Sequence, residues 1–301
     1  MDSLRGVIVP LITPLTKEED IDLPSLKKLL KHVTDGGVNG IFVLSTSGET
    51  VRLYDDQKDK ILETVMEECQ GKVDVYVGIM GSGLKKVLVN LEKAIAFGAK
   101  AAVLCPPYCY HVCEEEMARF FLEVSENSTI PLILYNIPSL VGDSVGNRVY
   151  EDLKDRRNIV GVKDSSGDIS YLRELISSHA SNDFKVFVGS EEIMLEGMKM
   201  GASGMVPSLA NVFPKLFVNF YNAFVNNDLQ QAEILFNIIK EFHALHNQPY
   251  GALNPIAVRK QALAMLGIVQ PWMTEPVIIG DTDYKSGIKE YLLRYEDCLG
   301  L

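Results

Sequence analysis

The sequence predicts an α/β chain: a (β/α)8 barrel over residues 1–225 and a helical domain over 226–301. Eight short apolar runs carry the prediction, each followed by a helical pattern at close, regular spacing. A doubly wound open sheet is the runner-up. Against it, Gly78-Ile79-Met80-Gly81-Ser82-Gly83 is not the dinucleotide fingerprint and reads as a strand-to-helix loop. After Val225 the pattern is helical, interrupted by Pro249, Pro255, Pro271 and Pro276, with no low-complexity linker.

Val7 to Ile12 is the first strand. Apolar residues at helical spacing then run from Leu23 to Val33, closed by Gly36-Gly37. Gly40 to Leu44 is the second strand, before a helix over Gln57 to Cys69. Val73 to Ile79 is the third, with a helix through Ala96 stopped by Gly98. Ala101 to Cys105 is the fourth, stopped by Pro106-Pro107, and Leu132 to Tyr135 the fifth, stopped by Pro138. Ile159 to Lys163 is the sixth, Phe184 to Val188 the seventh and Gly204 to Val206 the eighth. Helical patterns over Tyr171 to Ser178 and Glu191 to Met200 fall between them.

Net charge is −11, which disfavours nucleic acid and anionic lipid as partners but not an anionic substrate held in a local field. No run approaches the ~20 apolar residues of a membrane span. The start, Met1 to Gly6, lacks the pattern of a signal peptide, so the expected location is the cytoplasm. The five cysteines, Cys69, Cys105, Cys109, Cys113 and Cys298, are odd in number and argue against a disulfide framework. Cys105, Cys109 and Cys113 recur every fourth residue, but no CxxC pair or suitably spaced histidine accompanies them, and a metal site is not expected.

Catalytic groups of such barrels sit at the C-terminal strand ends. Lys163 ends the sixth strand. Burial there disfavours an ammonium and frees an amine to attack a carbonyl; the bland alternative is a lysine that snorkels to solvent. After the second strand, Ser45-Thr46-Ser47-Gly48-Glu49-Thr50 offers two hydroxyls and turn N–H groups to a carboxylate, or merely an N-cap for the next helix. Tyr135, after the fifth, suits proton transfer, or is a rim aromatic. Gly189, Ser190, Glu191 and Glu192 follow the seventh, and Ser203 and Ser208 the eighth; these suit a polyhydroxylated substrate, or helix-start chemistry. Together an amine, a phenol and a carboxylate cradle process an α-keto acid through an imine.

Thr46-Ser47-Gly48-Glu49, Tyr135-Asn136-Ile137-Pro138 and Gly161-Val162-Lys163-Asp164 resemble the signature segments of the dihydrodipicolinate synthase / N-acetylneuraminate lyase family. The opening Gly6 to Pro14 is similar too, and the resemblance runs to at least Val269. It implies class I, Schiff-base aldolases, usually homotetramers, needing no metal or bound cofactor. It also implies that Lys163 forms the imine with pyruvate or another keto acid, that Tyr135 shuttles protons and that Thr46 and Ser47 hold the carboxylate.

Departures from the family pattern bear on the substrate. Leu140 stands where synthases carry an arginine for the aldehyde's carboxylate, and the sialic acid lyase branch typically has leucine there. Cys109 stands where synthases place a second, intersubunit tyrosine; Tyr108 or Tyr110 could substitute. Asp55 and Lys58 replace histidines frequent in lysine-inhibited synthases, so no lysine-feedback site is expected. Asn254 to Arg259 resembles a synthase segment, whereas Asp164-Ser165-Ser166-Gly167-Asp168 is common among sugar-acid and hydroxy-keto-acid aldolases. Glu192 and Ser208 fall where sialic acid lyases contact the polyol chain. The expected reaction is reversible cleavage of a 2-keto-3-deoxy sugar acid, or a sialic-acid-like 2-keto acid, to pyruvate and an aldehyde. The alternatives are 4-hydroxy-tetrahydrodipicolinate synthase and a non-catalytic keto-acid-binding paralogue.

Overall fold

The computed structural model describes residues 4–245, 254–277 and 282–296. Residues 1–3, Pro249 and Cys298 lie outside them. Eight parallel strands close a barrel in chain order. They are β1 (Gly6–Pro10), β2 (Gly40–Val43), β3 (Asp74–Gly78), β4 (Ala101–Leu104), β5 (Leu132–Asn136), β6 (Ile159–Asp164), β7 (Lys185–Val188) and β8 (Gly204–Met205). Parallel strands are covered on both faces, which is why they read as continuous apolar runs. Every residue of β1, β2, β4, β5 and β6 is buried.

The helices between strands are α1 (Leu23–Asp35), α2 (Asp55–Cys69), α3 (Leu84–Ala96), α4 (Glu114–Glu126), α5 (Pro138–Val141), α6 (Asn147–Leu153), α7 (Ile169–His179) and α8 (Met194–Lys199). Their ends follow local chemistry. The Asp22 carboxylate accepts from Ser25 N at 3.1 Å to start α1, and Gly37 leaves it at φ 80°. Asp168 Oδ1 accepts from Ser170 N at 2.8 Å to start α7. After β8 come α9 (Pro214–Val225), α10 (Leu229–Ala244), α11 (Pro255–Met265) and α12 (Thr282–Arg294). Among the described residues, no helix is long and apolar enough to cross a membrane.

Most element bounds shift by one or two residues from expectation, β1 for instance ending at Pro10 rather than Ile12, and two of the differences have a visible cause. β5 and β6 each run one residue further, because Asn136 pairs with Asp164 in the ladder and their side chains hydrogen-bond. The helix expected over Glu191 to Met200 splits into a 3₁₀ turn, Glu191–Ile193, and α8, because Ile193 leaves helical geometry at φ −112°, ψ 13°.

By packing, the chain forms two compact units: residues 1–6 with 74–206, and residues 7–73 with 207–301. In the second, Phe213, Phe217, Phe220 and Phe242 are fully buried. The rings of Phe213 and Phe242 lie 5.2 Å apart, and Tyr291 of α12 lies 5.0 Å from Phe242. Each such ring contributes about 1.5–3 kcal/mol by burial.

Candidate active site

Lys163 and Tyr135 occupy the first unit. They are register partners across β5 and β6, so both side chains leave the sheet on one face. Both are buried, at 4% and 2% exposure. The Lys163 Nζ lies 4.1 Å from the Tyr135 ring centroid, within reach of a cation–π contact.

The next step of the ladder holds this pair. Asn136 Nδ2 donates to Asp164 Oδ1 at 2.8 Å, and Asn136 Oδ1 accepts from Val145 N at 3.0 Å. Asp164 also accepts from Ser166 N at 3.1 Å and Ser166 Oγ at 3.0 Å. Burial nonetheless raises the Asp164 pKa above the ordinary carboxylate value; the contacts to Asn136 and Ser166 oppose that shift.

Gly189, just past β7, donates its N–H to Asp164 O at 2.6 Å. A Cβ there would meet Ser165 Oγ at 2.0 Å, Asp164 O at 2.9 Å and Lys163 Cε at 3.0 Å. The glycine therefore leaves room for the lysine side chain.

The turn expected to form a carboxylate cradle, Ser45 to Thr50, lies in the second unit. Leu44 and Glu49 bracket it in left-handed conformation, at φ 54° and 56°. Side chains pay for such backbone with strain of about 1–3 kcal/mol each, so surrounding contacts must hold it. Thr13 Oγ1 donates to Gly48 O at 2.7 Å, and Gly48 N donates to Ser45 O at 3.1 Å. Glu49 is buried and fully engaged. Its Oε1 accepts from Lys260 Nζ at 2.7 Å, and its Oε2 from Thr274 N at 2.9 Å and Thr274 Oγ1 at 2.7 Å. Lys260 also donates to Trp272 O at 2.7 Å. Burial lowers the Lys260 pKa below its ordinary 10.5, and Glu49 opposes the shift. Thr46 is half-buried and Ser47 buried. Ser47 Oγ donates to Ser208 Oγ at 3.0 Å.

Among the expected site residues, the structure thus brings Lys163 together with Tyr135 and Gly189, and Ser47 together with Ser208. Leu140, on α5, is 64% exposed; Glu192 is exposed in the turn after β7. Cys109 is exposed at φ 82°, between the half-buried Tyr108 and the exposed Tyr110. No group of three His, Cys, Asp or Glu side chains among the described residues could hold a metal ion.

Sequence reasoning missed the roles of Glu49, Lys260, Thr274, Asn136 and Asp164. Asn136 and Asp164 were legible as polar residues ending apolar strands. Lys260 sits in the polar stretch Arg259-Lys260-Gln261 of α11, and nothing local in the sequence signalled its burial or its partner. Nothing in the sequence pointed to Thr274.

Comparison with known proteins gives one consistent picture. A model of the dihydrodipicolinate synthetase family matches residues 3–294. The 4-hydroxy-tetrahydrodipicolinate synthase of Thermotoga neapolitana is 28% identical over 91% of the chain and 92% of its own length. The solved dihydrodipicolinate synthase of Bacteroides thetaiotaomicron superposes with a TM-score of 0.90 at 29% identity, covering 97% of this chain and 98% of that one. A catalytic-lysine mutant of Ruminococcus gnavus sialic acid aldolase shares the fold, with a TM-score of 0.91 at 21% identity over 99% and 97% of the two chains.

Proposed function

Because the chain belongs to the dihydrodipicolinate synthetase family, and with it to the carbon–carbon lyases, we propose that it is a class I, pyruvate-dependent aldolase whose imine forms on Lys163. The observation that carries this reading is the buried Lys163 amine 4.1 Å from the Tyr135 ring.

In this reading Thr46 and Ser47 hold the carboxylate of a 2-keto acid, and the Lys163 amine attacks its C2 carbonyl. Loss of water gives a protonated imine. The C3–C4 bond then breaks, its electron pair entering the imine to leave an enamine, while the C4 hydroxyl gives up its proton and becomes the aldehyde. Tyr135 carries that proton and returns one to C3. Water hydrolyses the resulting imine and frees pyruvate. The sequence needs neither a metal nor a bound cofactor.

The substrate proposed is a 2-keto-3-deoxy sugar acid or a sialic-acid-like 2-keto acid. Leu140 supports it by supplying no cation for a second carboxylate, and Ser208 and Glu192 suit polyol hydroxyls. A second reading, condensation of pyruvate with aspartate semialdehyde, is favoured by relatives named 4-hydroxy-tetrahydrodipicolinate synthase. Losing a charge-assisted contact costs about 1.5–3 kcal/mol, which handicaps that condensation roughly tenfold to a hundredfold or more. The test is a panel for pyruvate release from keto-deoxy sugar acids, N-acetylneuraminate and 4-hydroxy-2-oxoglutarate, with pyruvate plus aspartate semialdehyde alongside. Cleavage of a polyhydroxy keto acid far ahead of condensation is expected. Efficient condensation would establish the second reading, and no turnover at all would leave a keto-acid-binding protein.

A further inference from the structure

Glu49 closes the turn proposed to hold the keto acid's carboxylate. Its N–H donates to Thr46 O at 3.1 Å, so Thr46 and Ser47 lie within the loop that this bond ties off. Gly48 presses the same loop onto the backbone just past β1, where a Cβ would meet Leu11 O at 2.9 Å. At φ 56°, Glu49 occupies a backbone region that a residue with a side chain holds only when its surroundings enforce it.

The enforcing contacts come from 211 to 225 residues further along the chain. The Lys260 Nζ donates to Glu49 Oε1 at 2.7 Å, and Thr274 donates to Oε2 through its N–H at 2.9 Å and its hydroxyl at 2.7 Å. Lys260 is itself fixed by Trp272 O at 2.7 Å. Arg52, in the 3₁₀ turn Thr50–Arg52, donates through Nη1 to Thr274 Oγ1 at 3.2 Å, so the clamp grips the loop on its far side as well.

The Glu49 and Lys260 side chains are 2% and 0% exposed. A buried ion pair is an inefficient stabiliser, since well-packed apolar residues of similar volume often do as well or better. What its directed hydrogen bonds supply is a fixed position. None of the three clamp residues has a part in the imine chemistry itself.

We propose that Glu49, Lys260 and Thr274 are positioning residues, through which α11 and the segment after it hold the Ser45 to Thr50 turn in the geometry that takes a carboxylate. This role rests on Thr46 and Ser47 being the carboxylate's partners, and it makes the C-terminal part of the chain a determinant of affinity for keto acids over neutral ketones.

The test is borohydride trapping of the full chain across a series of pyruvate concentrations. Pyruvamide, which keeps the ketone and carries no charge, is run in parallel. Label on Lys163, read by peptide mass spectrometry, gives a half-saturating concentration for each ketone, and the parent should prefer pyruvate. Thr274→Val removes the hydroxyl with no change of charge. It should raise half-saturation by pyruvate about tenfold, the lower weight of a hydrogen bond to a charged group, and leave that by pyruvamide little changed. Lys260→Met should act in the same direction and more strongly. Thr274→Ser, which keeps the hydroxyl, should restore the parental preference. Thermal melts establish that each variant is folded; if Lys260→Met is not, the Thr274 variants decide. Unchanged half-saturation by pyruvate in folded Thr274→Val would overturn the proposal. So would an equal loss for pyruvate and pyruvamide, which is what general loosening of the fold produces. A parent that takes no pyruvate label at Lys163 would overturn the proposed aldolase, and this role with it.

Discussion

Tyr135 and Lys163 face each other across two parallel strands, in register, with the amine 4.1 Å from the ring centroid. The ladder that aligns them continues for one more rung, Asn136 with Asp164, and that rung is tied by a side-chain hydrogen bond. Position on a rigid sheet, rather than on a loop, fixes the amine against the phenol ring.

Tyr135→Phe keeps the ring beside the lysine and deletes the hydroxyl proposed to carry the proton. General acid–base assistance is worth about 10²–10⁴ in rate, and kcat should fall by that order with the melting temperature little changed. Steady-state kinetics on the best substrate of the panel decides it. A rate within a few-fold of the parent would show that the proton travels another way.

Gly189→Ala pushes a methyl group against the Asp164 carbonyl and Lys163 Cε. The Ser165 hydroxyl can rotate away, but the backbone oxygen cannot. Displacing a reactive group by about 1 Å can cost about a hundredfold, so kcat should drop by roughly that factor. A variant with parental kcat would mean that Lys163 has room to spare.

The Glu49–Lys260 pair predicts a stability signature. Lys260→Met leaves a buried carboxylate without its cation, which costs about 3–5 kcal/mol. Adding Glu49→Gln should recover part of that loss, so the double variant should be more stable than the sum of the single losses. Urea unfolding of the parent, both single variants and the double variant reads this directly. Strict additivity would show that the pair is not energetically coupled.

What was legible followed one physical rule. Strands buried on both faces must be apolar from end to end, so the eight runs and the polar residues that end them stood out. Lys163, Tyr135 and the Thr46-Ser47 turn were found that way. The clamp beneath the turn was not, because Glu49 lies 211 residues from Lys260 and 225 from Thr274 and meets them only through the fold. A long-range buried ion pair leaves no local pattern. Leu140 was assigned from resemblance, and Glu192 from its place after the seventh strand as well as from resemblance; both side chains are exposed.

Asp164 gives a dependence on pH with a definite sign. Burial raises its folded-state pKa above the ordinary 3.8, so the folded chain holds the proton more tightly than the unfolded one. Its contribution is fully present below 3.8 and is lost as pH rises through the folded-state value. Asp164→Asn does not titrate. The stability of the parent relative to this variant should therefore fall as pH rises across that window, read from denaturant midpoints at a series of pH values. A difference that stays flat, or grows with pH, would contradict the burial argument.

The central claim is the imine on Lys163, and covalent trapping tests it most directly. The protein is incubated with pyruvate, reduced with borohydride and mapped by peptide mass spectrometry. The account predicts one reduced pyruvyl group on the peptide carrying Lys163, loss of activity in step with labelling, and no label in Lys163→Ala. Label on another residue, or label that persists in Lys163→Ala, would contradict it.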